Sequence, residues 1–254
     1  MAGDPRSVGL LDLATRLPAL ALDAPVILRA ALTGLLARPG SKTSIGTVFQ
    51  DRAARHGNRT FLRFDDQQIS YRQANETANR YAAVLAERGV RRGDVVGIML
   101  RNSPDAVLTM LAAVKCGAVA GMLNYNQRGE VLAHSIGLLN ATVVIAESDF
   151  VEPVTDSAAE VADLVTIENL AALAEAKPIG NPESAAQVHA RDPAFYIFTS
   201  GTTGHPKASV MTHLRWLRAL AAFGGLGLRL RGSDTLYCPL PMYHNNALTL
   251  RCPR

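Results

Sequence analysis

Residues 95–146 constrain the fold more than any other stretch, because they set out three strands and two helices in strict alternation. Residues 95–100 are a short apolar run of strand length. Ser103 and Pro104 read as a helix N-cap with proline at the first helical position, where its missing N–H would have had no partner anyway. Val107, Leu108, Leu111 and Val114 then recur at helical spacing as far as Gly117. Residues 118–123 form a second buried run, 131–139 a helix and 142–146 a third run. Strand and helix alternating at this spacing make right-handed βαβ units, so the expected class is α/β, with a parallel sheet covered by helices.

The flanking segments fit around that centre. Ser44 can cap a helix whose Ile45, Val48, Phe49 and Ala53 share one face, with Gly57 and Asn58 as its stop. Residues 60–64 and 69–71 read as two strands across Asp65 and Asp66, and Ala74, Ala78, Tyr81, Ala82 and Leu85 as a helix ending near Gly89. Residues 175–192 are polar and carry Pro178, Gly180 and Pro182, the marks of a solvent-exposed connection. Beyond it come a strand at 194–198 and a returning strand at 208–211. A helix capped by Thr212 follows, then a strand at 235–238. This divides the chain into a 1–43 extension, a first α/β subdomain at 44–175, a connection at 176–192 and the start of a second subdomain at 193–254. No internal repeat is present.

Chemistry concentrates in Tyr196, Ile197, Phe198, Thr199, Ser200, Gly201, Thr202, Thr203, Gly204, His205, Pro206 and Lys207. Glycines let backbone N–H groups approach an anion closely, hydroxyls add neutral donors and a lysine adds a compact cation, so the loop suits a polyphosphate. It is not a Walker A loop: two residues rather than four separate Gly201 from Gly204, and Pro206 intervenes before Lys207. A P-loop nucleotidase is therefore disfavoured. The string resembles the phosphate-binding signature of the adenylate-forming superfamily, which includes acyl-CoA synthetases, luciferases and peptide-synthetase adenylation domains.

The resemblance extends from about Ser44 to Leu248. Residues 111–119 are similar to the core motif that precedes the phosphate loop in these enzymes. Residues 123–130 and 132–135 resemble the very-long-chain acyl-CoA synthetases and fatty acid transport proteins. Pro241, Met242, Tyr243, His244, Asn245 and Asn246 resemble the acyl-pocket motif, which implies that Tyr243, His244 and Asn245 position the substrate. The resemblance also implies a two-step ligation: fatty acid and ATP give acyl-adenylate and pyrophosphate, and coenzyme A then displaces AMP, with Mg2+ assisting. Members of the superfamily continue past the acyl motif with an acidic metal-binding motif, a ribose-binding aspartate, a hinge and a C-terminal domain carrying a catalytic lysine. No residue of this sequence matches those parts. The chain is thus expected to be a truncated or frameshifted N-terminal part, inactive alone, with no complete catalytic set and no metal site. The alternative function is a non-catalytic module that binds a lipid or a partner chain. Lys115 is expected to be a solvated helix residue, His134 to lie on a helix surface and His213 beside a helix cap.

A net charge of +4, with arginines scattered rather than massed, argues against a nucleic-acid partner. Cys116, Cys238 and Cys252 are odd in number and widely spaced, which points to reduced thiols in a cytoplasmic protein and against a disulfide framework or a zinc site. Asp4, Asp12 and Arg16 interrupt the N-terminal apolar residues, and Pro18, Asp23, Pro25 and Arg29 interrupt residues 17–36, so neither a signal peptide nor a comfortable membrane span is expected. Residues 26–37 are expected to form a short helix packed on the parent domain, with peripheral membrane contact as the alternative. Strands left without neighbours predict self-association.

Overall fold

The computed structural model describes residues 23–25, 27–28, 31–32, 38–157, 160–199 and 205–245. The strands are β1 (Thr60–Phe64), β2 (Gln67–Ser70), β3 (Val95–Met99), β4 (Val119–Met122), β5 (Val143–Ala146), β6 (Leu164–Thr166), β7 (Pro193–Thr199) and β8 (Lys207–Thr212). The helices are α1 (Ile45–His56), α2 (Tyr71–Glu87), α3 (Pro104–Cys116), α4 (Gly129–Leu139), α5 (Val151–Asp156), α6 (Ile167–Ala174) and α7 (His213–Leu220). β1 and β2 form an antiparallel hairpin, and the other six strands form one sheet in the order β6-β5-β3-β4-β7-β8. Every neighbouring pair in that sheet is parallel except β7 with β8. Because β7 pairs with β4, the strands on either side of the 176–192 connection share one sheet.

Strand alternation divides the core into two layers. Val96 and Ile98 of β3 face a cluster that includes α2, α3, Phe49 of α1 and Trp216 of α7. Val95 and Met99 face the opposite cluster, formed with Leu132, Ile136 and Leu139 of α4 and Val154 of α5. Successive residues of a strand point to opposite faces, so an apolar run with no polar alternation is what a doubly covered strand requires.

The helix boundaries follow from local chemistry. Ser44 accepts from the Thr47 N–H while the Thr47 hydroxyl accepts from the Ser44 N–H, closing a capping box at α1. Ser103 accepts from the Ala106 N–H at 3.2 Å, Pro104 opens α3, and Gly117 ends it at φ 78°, a left-handed conformation that favours glycine.

Three expectations are corrected. Tyr71 opens α2 instead of extending the second hairpin strand, because Ser70 caps the helix there. Residues 235–238 do not form a strand: among the described residues no strand pairs with them, and an extended segment without a ladder is not a strand. The 175–192 connection is anchored along its second half, where Ala185, Val188 and Ala190 are fully buried and the Ala190 N–H bonds the Ser41 carbonyl. Cys116 and Cys238 are free thiols. Burial pushes the Cys116 thiol up to about 12, so it is inert at neutral pH. Asp23 of the N-terminal extension ion-pairs with Arg229 and Arg231, joining that extension to the segment after α7. Among the described residues no helix is long and apolar enough to cross a membrane.

Candidate active site

In an open α/β sheet, ligands settle beyond the carboxyl ends of the strands, where successive connections leave to opposite faces. Here β3 leads into α3 on one face and β4 into α4 on the other, so the crevice flanks the end of β3. The residues at that edge form a connected cluster. Tyr125, just after β4, stacks on Phe150 with centroids 5.9 Å apart and meets Tyr243 edge-on at 5.1 Å. The Arg101 guanidinium lies 4.6 Å above the Phe150 ring and is fixed by ion pairs to Glu147 (2.5 Å) and Asp149 (2.9 Å). Arg128 approaches the same ring at 5.8 Å. The Asn126 amide bonds the Tyr243 hydroxyl at 3.3 Å.

Tyr243 is therefore half-buried on an aromatic platform. His244, its ring 4.6 Å from that of Tyr243, is exposed, and its N–H donates to the Pro241 carbonyl to close the turn. Asn245 is exposed beside it, and Asn246 lies outside the described residues.

The phosphate motif runs along β7 and returns on β8. Thr199 pairs opposite Lys207, and the Thr199 hydroxyl donates to the Lys207 carbonyl at 3.4 Å. Alternation sorts the other residues: Ile197 is a core side chain, Tyr196 and Phe198 are half-buried against the α4 side, and Thr199, His205 and Lys207 are exposed. Ile197 thus supports the strand rather than presenting a side chain to solvent. Pro206 is half-buried, and Ser200, Gly201, Thr202, Thr203 and Gly204 lie outside the described residues.

His134 departs from the expected free helix surface. It is half-buried, its Nε2–H donates to the Pro206 carbonyl at 3.1 Å, and its ring sits 4.8 Å from that of His205. The segment from Asn124 to His134 thus touches the acyl motif at one end and the return of the phosphate loop at the other. Tyr125, Asn126 and His134 fall inside motifs visible in the sequence, but their contacts with Tyr243 and Pro206 reach across 72 to 118 residues, which no local pattern reveals.

Lys115 is the larger correction. It is fully buried, and its ammonium donates to the side-chain oxygens of Asn75 (2.6 Å), Asn79 (2.5 Å) and Asn181 (3.1 Å). Three donors meet three neutral acceptors, and burial brings its pKa down to about 7. His213 is likewise fully buried. Its Nδ1 accepts from the Ile45 N–H at 3.2 Å, and burial lowers its pKa to about 4, so the ring is neutral. Neither residue reaches the sheet edge just described. A cleft of about 820 Å³ opens between β1 and residues 230–239, lined by Arg59, Phe61, Asn102, Arg231 and Tyr237 among others; neither Lys207 nor Tyr243 lines it. Among the described residues no three His, Cys, Asp or Glu side chains converge as a metal site.

Comparison with known proteins places these motifs in context. Residues 49–252 match the family described as AMP-binding enzyme. The chain is 68% identical over 248 residues to the medium/long-chain-fatty-acid–CoA ligase FadD6 of Mycobacterium tuberculosis, covering 96% of this chain and 42% of that protein. It is 31% identical over 223 residues to long-chain fatty acid transport protein 2 of Rattus norvegicus, covering 80% of this chain and 35% of that one. The chain therefore spans roughly two fifths or less of the length of these relatives. Among solved structures it resembles the inhibitor-bound N-terminal domain of FACL13 from Mycobacterium tuberculosis, with a TM-score of 0.74 and 30% identity over 82% of this chain and 54% of that one. A Mycobacterium tuberculosis fatty acyl CoA synthetase gives a TM-score of 0.71 with 26% identity, over 82% of this chain and 42% of that one.

Proposed function

Because the chain belongs to the AMP-binding enzyme family, we propose that the protein takes part in activating a fatty acid with ATP and transferring the acyl group to coenzyme A. The observation that carries this reading is that the phosphate-loop return and the acyl-motif turn lie at one edge of the sheet, joined by the 124–134 segment that touches both. The names of the relatives, a fatty-acid–CoA ligase and fatty acid transport proteins, support the same substrate class.

In this reading the fatty acid carboxylate attacks the α-phosphorus of ATP. The new P–O bond forms as the bond to pyrophosphate breaks, and charge builds on the leaving oxygen. Backbone N–H groups at Gly201 and Gly204, hydroxyls of Ser200, Thr202 and Thr203, and the exposed Lys207 ammonium supply donors where that charge develops. Tyr196, Ile197, Phe198 and Thr199 hold the strand that delivers the loop, and His134 holds Pro206 at its exit. Tyr243, His244 and Asn245 orient the carboxylate; His244, exposed and held by its own turn and the Tyr243 ring, is assigned to positioning rather than proton transfer. The coenzyme A thiolate then attacks the acyl carbon and AMP departs. The described residues offer no ligand cluster for Mg2+; it would arrive on the nucleotide's phosphates, and none of these steps runs through it. Cytoplasmic residence with peripheral membrane contact goes with a substrate that partitions into bilayers.

The test is fatty-acid-dependent ATP–pyrophosphate exchange by the polypeptide that carries this sequence. Replacing both Thr202 and Thr203 by alanine should lower exchange by at least ~100-fold, the scale of losing a transition-state donor. Unchanged exchange in that variant refutes the loop's role. Fatty acid binding without any exchange would favour the non-catalytic lipid-binding alternative.

A further inference from the structure

The short crossing between the end of β3 and the start of α3 is held on both sides. Leu100 is only 5% exposed, Arg101 is pinned by Glu147 and Asp149, and Ser103 caps α3. Asn102 sits between them. Its Nδ2–H donates to the Leu240 carbonyl at 2.9 Å, and its Oδ1 accepts from the Met242 N–H at 2.9 Å. A single side-chain amide therefore pairs with the backbone on both sides of Pro241. Proline has no N–H, so Leu240 O and Met242 N are the polar backbone groups that the entry of this turn can offer in that direction. The opposite placement of the amide would set NH2 against N–H and oxygen against carbonyl, so the bonding pattern fixes its orientation.

The turn is also fixed elsewhere. The Met242 side chain is 2% exposed in the core, and the Tyr243 ring rests on Tyr125. His244 and Asn245 then project outward from a base set by three separate contacts. We propose that Asn102 is a positioning residue for the acyl-binding turn, setting the height of Tyr243 and His244 above the end of β3 and so the acyl selectivity of the site. This role rests on the acyl-activation reading above. Asparagine is the residue type the geometry requires: aspartate keeps the acceptor for Met242 but loses the donor to Leu240, alanine loses both, and glutamine is one methylene too long.

The experiment compares Asn102→Ala and Asn102→Asp with the unmodified polypeptide by two readouts. The first is hydrogen exchange of the Met242 amide, which needs no activity. The second is the pair of KM values, for fatty acid and for ATP, in pyrophosphate exchange across a series of chain lengths. Asn102→Ala should lose Met242 protection, and Asn102→Asp should retain it. Both should raise the fatty acid KM by ~10-fold or more and shift the chain-length preference while the ATP KM stays put, since small displacements of a positioned group are costly. Met242 protection unchanged in Asn102→Ala would overturn the clamp. Protection lost with an unchanged fatty acid KM and chain-length profile would overturn the positioning role. An unmodified polypeptide with no fatty-acid-dependent exchange would overturn the acyl-activation reading and this role with it, while the exchange of Met242 would separately report whether the clamp exists.

Discussion

Lys115 and His213 are fully buried ionisable side chains, and each links stability to pH in its own window. Burial lowers the Lys115 pKa from 10.5 to about 7. Between those values the unfolded chain binds more protons than the folded one, so stability rises as pH increases from about 7 toward 10.5. Below 7 the folded protein carries the full cost of the buried cation, offset by its three asparagine oxygens. For His213 the pKa falls from 6.5 to about 4, so its contribution is present above 6.5 and lost as pH falls toward 4, when protonation must break the bond from Ile45. Lys115→Met should flatten the alkaline window and His213→Asn the acid one, each by at most about 1.4 kcal/mol per pH unit, the limit for one proton. Denaturant unfolding at a series of pH values checks both. A wild-type-minus-variant difference that is level across its assigned window would sink that assignment.

Among the elements, the close seating of α4 on the sheet depends on a missing side chain. Gly121 of β4 pairs with Gly97 of β3, and a Cβ added at Gly121 would lie 2.7 Å from both terminal methyl groups of Leu139. Gly121→Ala should therefore cost about 1–3 kcal/mol by overpacking, and should cost clearly less in a Leu139→Ala background. Additive losses in urea unfolding would show that Leu139 is not what the glycine accommodates. Elements governed by neighbouring residues were legible in the sequence: the Ser44 and Ser103 caps, the Gly117 stop and the three apolar runs of the parallel sheet. Features governed by distant partners were not. Residues 235–238 have strand composition but pair with no strand among the described residues, whereas β6 has a partner but only three residues to announce it. Lys115 reads as a helix-end cation until Asn75, Asn79 and Asn181 are brought around it. Asn102 reads as a residue before a helix cap until the chain returns 138 residues later.

At the scale of the whole molecule, the sheet has, among the described residues, a paired centre and two edge strands, β6 of 3 residues and β8 of 6 residues, so β8 offers the longer free ladder. Among the described residues β3 is paired on both sides, whereas β6 pairs with β5 alone and β8 with β7 alone. Val210 within β8 is 46% exposed, and Phe223 and Leu228, in the segment that follows α7, are 59% and 52% exposed. An edge strand that carries an exposed apolar side chain is a template for pairing with another chain. A second copy is the partner always present in solution, so the 254-residue chain by itself is predicted to self-associate through the β8 edge. The prediction belongs to this chain alone and does not depend on its activity. Light scattering across a concentration series should show a mass that rises with concentration. Val210→Lys should shift the distribution toward monomer, because a charge on an edge strand opposes edge-to-edge pairing. His134 and the aromatic platform lie on other elements, so the variant should leave their contacts intact, as judged by an unchanged unfolding midpoint. A monodisperse monomer at every concentration would overturn the prediction, and an oligomer unaffected by Val210→Lys would move the contact away from β8.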